Sequence, residues 1–254
     1  MKWQFVTTGN YSRFMEGVAR ATNARAGRTA IFLVIGENGM GKTSLFKRFQ
    51  GTEGPIMLTG NSAWSRSYFR DSLANEVGVN PAGRSHAVDA ALLGALRKRR
   101  RNPILIDEGH FSFARDKHTN DAPIEYLRGT LTDISGNAVI LAMPPKYADL
   151  VSDHAEVASR LVDRMVVVPA SLDDTALFCH QLAEVEIAED LVARIHKESH
   201  GSPYFICNAI EAAELLASRN GKSVVTAADA KGTTLCVSDL LAAGKASAAG
   251  KGRK

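Results

Sequence analysis

Cysteine is scarce in this chain and poorly placed for chemistry. Cys179, Cys207 and Cys236 are the only three in 254 residues, an odd number with no C-x-x-C pair, so neither a disulfide framework nor a zinc site is expected and the three read as reduced thiols. Long apolar runs are also missing: none approaches the roughly 18 residues that span a bilayer. The opening Met1-Lys2-Trp3-Gln4-Phe5 lacks the apolar core of a signal peptide, which predicts a cytoplasmic protein without a membrane partner. No sign of charge dominates, since the net charge of +4 and pI near 9.0 permit a polyanionic partner without requiring one. His110, His180, His196 and His200 form no metal-spaced set with acids or cysteines and read as surface or core histidines. There is no internal repeat, zinc finger or helix-turn-helix pattern, so sequence-specific reading of DNA is not expected. What is present is 45% hydrophobic content, ordinary for a chain that buries a core.

The apolar run Ala30-Ile31-Phe32-Leu33-Val34-Ile35 leads into Gly36-Glu37-Asn38-Gly39-Met40-Gly41-Lys42-Thr43 and then Ser44-Leu45-Phe46. Strand, loop and helix in that order fit the phosphate-binding pattern G-x-x-x-x-G-K-[ST]. The glycines let backbone N–H groups turn inward on a polyphosphate, and the helix that follows presents its positive end. Gly36, Asn38, Gly39, Gly41, Lys42, Thr43 and Ser44 are therefore the expected nucleotide positions, with Lys42 on the outer phosphates of ATP and Thr43 on Mg²⁺.

Further apolar runs alternate with helical patterns. Strands are expected at 55–60, 102–108, 138–143 and 165–169, with helices near 12–26, 66–78, 84–100, 123–134 and 147–161. Fully apolar strands between helices argue for a parallel five-stranded sheet sandwiched by helices, an α/β fold. Beyond Ser171 strands are expected to stop, and three helical patterns near 172–185, 188–199 and 204–219, with a short one from 227, predict a C-terminal helical lid. The expected division is an α/β nucleotide-binding core over 1–170, the lid over 171–243, and a basic tail without apolar periodicity over 244–254.

The third strand ends in Asp107-Glu108, about 65 residues after the phosphate loop. Nucleotide hydrolysis needs such a pair: one carboxylate near the metal and a second to orient and deprotonate the attacking water.

These motifs, Ser159-Arg160 after a helix, and a terminal helical lid resemble the AAA+ ATPases. Within them the chain is similar to the phage Mu B protein and related transposon target-selecting ATPases, through Phe5-Val6-Thr7-Thr8-Gly9-Asn10, Asn61-Ser62-Ala63-Trp64-Ser65, Asp107-Glu108-Gly109-His110 and Gly201-Ser202-Pro203. The resemblance implies that Lys42 and Thr43 bind phosphates and Mg²⁺, Asp107 supports the metal and Glu108 activates water. It also implies that Arg160 reaches a neighbouring subunit's nucleotide; the alternative is a surface arginine at a helix end. Asn10 would face the adenine side or simply lead into a helix. Two positions depart from the pattern. Met143 ends the fourth strand where a polar residue is usual, and a thioether cannot donate a hydrogen bond. Tyr204 stands where the lid helix often carries arginine. Both departures bear on the rate of hydrolysis.

For DNA, basic residues beside an aromatic suit a phosphate backbone, so Trp64, Arg66 and Arg70 after the second strand and Arg115 and Lys117 after Asp107-Glu108 are the expected contacts. Arg97–Arg101 is a denser run, but it precedes the third strand and so lies away from the nucleotide. The resulting reading is a DNA-associated ATPase that forms a homo-oligomer, ring or filament, on duplex DNA when ATP is bound and delivers that target to a transposase. A helicase loader, a nucleotide-gated scaffold with negligible turnover and, more remotely, a small-molecule kinase are the competing readings.

Overall fold

The computed structural model describes residues 1–24, 29–113 and 122–236. Two compact units divide the chain: a sheet unit of Gly9–Asn38 and Lys42–Val167, and a helical unit of Met1–Thr8, Gly39–Gly41 and the chain from Val168 onward.

In the sheet unit, α1 (Gly9–Thr22) precedes β1 (Ile31–Ile35), α2 (Lys42–Glu53), β2 (Ile56–Thr59), α3 (Arg66–Glu76), α4 (Ser85–Lys98) and β3 (Ile104–Asp107). A single 3₁₀ turn, Gly109–Ser112, follows β3. Next comes a helical stretch made of α5 (Pro123–Tyr126), a π-turned segment Leu127–Thr132 and α6 (Asp133–Ser135), then β4 (Val139–Met143), α7 (Asp149–Asp153), α8 (Ala155–Ala158) and β5 (Leu161–Val166). The strands are parallel in the order β2-β3-β4-β1-β5. Every residue of β1, β3 and β4 is buried, as strands covered on both faces must be. This is the expected α/β sandwich.

Helix α1 meets β1 without an intervening side chain at Gly17, where a Cβ would stand 2.2 Å from the Phe32 ring. Phe14, one turn earlier, packs against Phe32, Phe46 and Phe49 with ring centroids 5.7–6.1 Å apart. That aromatic cluster ties α1 and α2 to β1, so the loop between β1 and α2 has fixed ends.

Register places the chemistry. Ile35 pairs with Met143 and Val166, and Thr59 with Asp107. The carboxyl ends of β1, β3 and β4 therefore emerge along one edge, where open parallel sheets hold ligands.

The fifth strand differs from expectation: it covers Leu161–Val166 rather than 165–169, and the helix expected to reach residue 161 is instead α7 and α8, broken at His154. β5 is an edge strand whose burial is mixed along its length, so Asp163 and Arg164 concealed it from an apolar-run criterion.

In the helical unit, α9 (Leu172–Leu182), α10 (Glu189–Ser199) and α11 (Pro203–Asn220) enclose a core that includes Phe178, Leu191, Ile195, Ile206 and Ile210. α9 starts at a reciprocal cap, with Ser171 Oγ accepting from Asp174 N–H and Asp174 accepting from Ser171 N–H. The expectation that strands end at Ser171 is corrected by β6 (Glu186–Ile187) and β7 (Val224–Val225), which pair in parallel. Two residues are too few to leave a period in the sequence. The segment from 227, expected to be helical, is a series of turns. The basic tail 244–254 lies outside the described residues.

Candidate nucleotide site

The loop between β1 and α2 turns on Gly39 and Gly41, at φ +81° and +88°, conformations that cost any other residue strain. Lys42 opens α2, buried, with its Nζ donating to the carbonyls of Gly36 at 2.7 Å and Glu37 at 3.1 Å. Burial pushes its ammonium below the ordinary value, against the pull of Glu108, Asp107 and Glu37. The lysine thus braces its own loop with donors that a phosphate oxygen could also accept. Within the helical unit, the tip carbonyl of Gly39 accepts from Ser202 Oγ at 3.2 Å and from Tyr204 N–H at 3.3 Å. Asn38 and Ser44 are exposed.

Asp107 and Thr43 meet across the edge of the sheet. Thr43 Oγ1 donates to Asp107 Oδ2 at 2.6 Å, and the aspartate, 3% exposed, uses Oδ1 to accept from the Glu108 N–H at 3.0 Å. A hydroxyl and a carboxylate converging beside a phosphate loop are the hard oxygen donors that Mg²⁺ takes, so the residues present fit that ion. Glu108 itself adopts the left-handed conformation, φ 50° and ψ 42°, which is uncommon for a residue with a side chain. Gly60 lies against it: its N–H donates to Asp107 O at 2.8 Å, and a Cβ there would stand 2.5 Å from the Glu108 carbonyl oxygen.

The half of the chain from residue 25 to 151 matches the AAA domain family. The chain is an AAA domain protein. The likeness in three dimensions is to solved structures of low sequence identity. The Aeropyrum pernix ORC2 protein, in its ADPNP–ADP complexes, is 14% identical, with a TM-score of 0.64 over 89% of this chain and 68% of that one. The Thermotoga maritima RuvB Holliday junction branch migration motor is 16% identical, with a TM-score of 0.57 over 89% and 67%. The Aeropyrum pernix ORC1 protein in complex with DNA is 18% identical, with a TM-score of 0.59 over 85% and 61%. At these identities the likeness establishes the P-loop AAA+ fold. Among curated proteins none matches the chain. No helix among the described residues is long and apolar enough to cross a membrane.

The remaining predicted positions are scattered. Arg160 precedes β5, and its carbonyl accepts from Ile31 N–H at 2.8 Å, at the start of β1 and thus at the opposite edge of the sheet from the phosphate loop. Its guanidinium donates to Asp133 at 3.0 Å and to Ser159 Oγ at 2.7 Å. Asp133 also accepts from Thr29 N–H, Thr29 Oγ1 and Arg128. Burial raises the Asp133 carboxyl, but Arg160 and the two Thr29 donors outweigh it and bring the group down to about 2. Asn10 lies in the first turn of α1, where its Oδ1 accepts from Arg13.

Among the DNA candidates, Trp64 is half-buried, edge-on to Phe69 at 5.0 Å and packed on the core. Arg70 forks onto Asp71 at 2.8 and 2.9 Å and donates to Ser85 Oγ at 2.8 Å. Arg66 lies over the Tyr126 ring at 5.0 Å. Arg115 and Lys117 lie outside the described residues. Of the Arg97–Arg101 run, Arg99 donates to Val77 O at 2.8 Å.

His110, expected to be a surface or core histidine without a role in the site, sits two residues beyond Glu108, 9% exposed, stacked face to face on Tyr147 at 4.0 Å. The signal available was its place two residues after the acidic pair.

Proposed function

We propose that this AAA domain protein binds ATP with Mg²⁺ and hydrolyses it, assembling as a homo-oligomer on duplex DNA to deliver that DNA to a transposase. The observation that supports the ATPase reading best is the approach of Thr43 to Asp107 at 2.6 Å, with Glu108 next in sequence and Lys42 one residue before Thr43. In this reading Lys42 exchanges its loop carbonyls for the outer phosphates, and Thr43 and Asp107 hold the metal. Mg²⁺ supplies neutralisation of charge on the outer phosphates. Glu108 orients the attacking water and takes its proton. Asp107, acting through its hydrogen bond to the Glu108 N–H, holds the backbone from which that carboxylate projects.

The DNA and transposase parts rest on the sequence resemblance to the Mu B-type ATPases, with Trp64, Arg66, Arg70, Arg115 and Lys117 as the contacts to the DNA backbone. Arg160 would act on a neighbouring subunit's nucleotide after leaving Asp133. Mixing Lys42→Ala with Arg160→Ala then restores part of the turnover at shared interfaces; no recovery at any ratio leaves Arg160 with its intrachain role alone.

A second reading is favoured by Met143. It ends β4 fully buried and its thioether offers no hydrogen-bond donor to a phosphate or water, which suits a nucleotide-gated scaffold with negligible turnover. Phosphate release measured with and without duplex DNA separates the two. DNA-stimulated release supports the ATPase, whereas ATP-dependent DNA binding without release supports the scaffold. Failure to bind duplex at low salt with ATP present removes the DNA reading altogether.

A further inference from the structure

His110 occupies an unusual position for a polar side chain. Its ring is held between Phe111, with centroids 4.1 Å apart, and Tyr147, with centroids 4.0 Å apart and planes 4° from parallel. Lys146 Nζ lies 4.8 Å over the same tyrosine, adding a cation to the stack. Nine-tenths of the imidazole is buried, yet its Nδ1 makes no hydrogen bond. A buried nitrogen left in that state costs free energy on the scale of a lost hydrogen bond, so the position calls for a partner. Glu108 Oε2 lies 3.4 Å away, a few tenths of an ångström beyond a good hydrogen bond. The imidazole is clamped on both faces, whereas the Glu108 side chain is 38% exposed. The carboxylate is therefore the partner that moves.

We propose, on the basis of the ATPase reading above, that His110 is a positioning residue for Glu108: its Nδ1–H captures one carboxylate oxygen and so aims the other at the attacking water. The charge state of the donor suits that task. Burial disfavours the imidazolium, as do Lys146 and Lys42, against the pull of Glu108. A neutral N–H orients a carboxylate while leaving it basic; a cation in the same place would hold the carboxyl ionised and weaken it as a proton acceptor. The left-handed backbone at Glu108 and the 3₁₀ turn that begins at Gly109 fold residue 110 back toward residue 108, which is what brings the two side chains together.

The test uses His110→Phe, which keeps an aromatic ring in the stack and removes the nitrogen, and His110→Asn, which returns an N–H near the place of Nδ1. ATP affinity and steady-state phosphate release are measured for each, alone and combined with Glu108→Gln. We expect His110→Phe to lower kcat about tenfold, the scale of one hydrogen bond to a charged group, with ATP affinity within about twofold of the parent on the same scale. His110→Asn should recover most of that loss. In the Glu108→Gln background His110→Phe should slow release no further, because its effect runs through the carboxylate. Unchanged kcat in His110→Phe, an equal loss in His110→Asn, or an undiminished effect in the Glu108→Gln background each overturns the proposal. If Glu108→Gln itself hydrolyses at the parent rate, the base assignment fails instead. If the parent releases no phosphate, ¹⁵N-histidine spectra decide: a neutral His110 protonated at Nδ1, whose resonance moves in Glu108→Ala, supports the contact, and an Nε2–H tautomer indifferent to that change overturns it.

Discussion

The two edges of the sheet handle charge in opposite ways. At the amino edge, Asp133 gathers Thr29, Arg128 and Arg160, so that both carboxylate oxygens accept from partners fixed in the same chain. At the carboxyl edge, Lys42 leans on two backbone carbonyls, Glu108 is substantially exposed, and the His110 Nδ1 lacks a hydrogen bond. A network that is closed rigidifies; one left partly open costs stability and is kept where something else completes it. The contrast distinguishes an ion cluster satisfied within its own chain from a site left open, although both contain arginine or lysine beside acids.

The strongest way to break the comparison is at the open edge. Lys42→Ala should weaken ATP binding by about 10²-fold or more, the upper range for a charge-assisted contact, with thermal stability little changed; equilibrium titration with ATP checks it, and retained affinity would remove the loop from the site. Glu108→Gln should leave ATP binding intact and slow hydrolysis by roughly 10²-fold, which single-turnover phosphate release reads directly. At the closed edge the sign of the outcome reverses: Asp133→Ala, which leaves Arg128 and Arg160 short of a partner, should cost about 3 kcal/mol of stability while ATP affinity stays at the parent value. Urea unfolding and ATP titration on the same variant test both halves.

The smallest expected effect is with pH. The Asp133 carboxyl sits at about 2, below its ordinary 3.8, so between those values the unfolded chain binds the proton and the folded chain does not. Its contribution is therefore complete above about pH 4 and disappears as pH falls through 2. Allowing for solvent screening, the amount at stake is about 1–2 kcal/mol. Asp133→Asn should show a correspondingly flatter loss of stability on acidification.

Sequence carried some of these features far better than others. The phosphate loop, Asp107-Glu108 and the buried strands were legible because each imposes a residue type at a fixed spacing. β5 was misplaced because an edge strand tolerates Asp163 and Arg164 in its middle. The contact of Trp64 with Phe69, five positions on, was not legible, because the run of basic residues beside an aromatic says nothing of which ring the indole meets. Asp133 was invisible for the same reason: Thr29 lies 104 positions away along the chain, and no local pattern links it to that carboxylate.

The order β2-β3-β4-β1-β5 also bears on how the protein comes to exist. β1, which carries the phosphate loop, is flanked by β4 and β5, and its first residue, Ile31, pairs with Val139 and Leu161, both more than a hundred positions later. Such non-local pairings are slow to form, because a long loop must close before any contact rewards it. During synthesis the strand that holds the loop has no place to dock until β4 has left the ribosome. ATP binding by nascent chains of increasing length should therefore switch on late and abruptly, making nucleotide capture a reporter of the completed sheet.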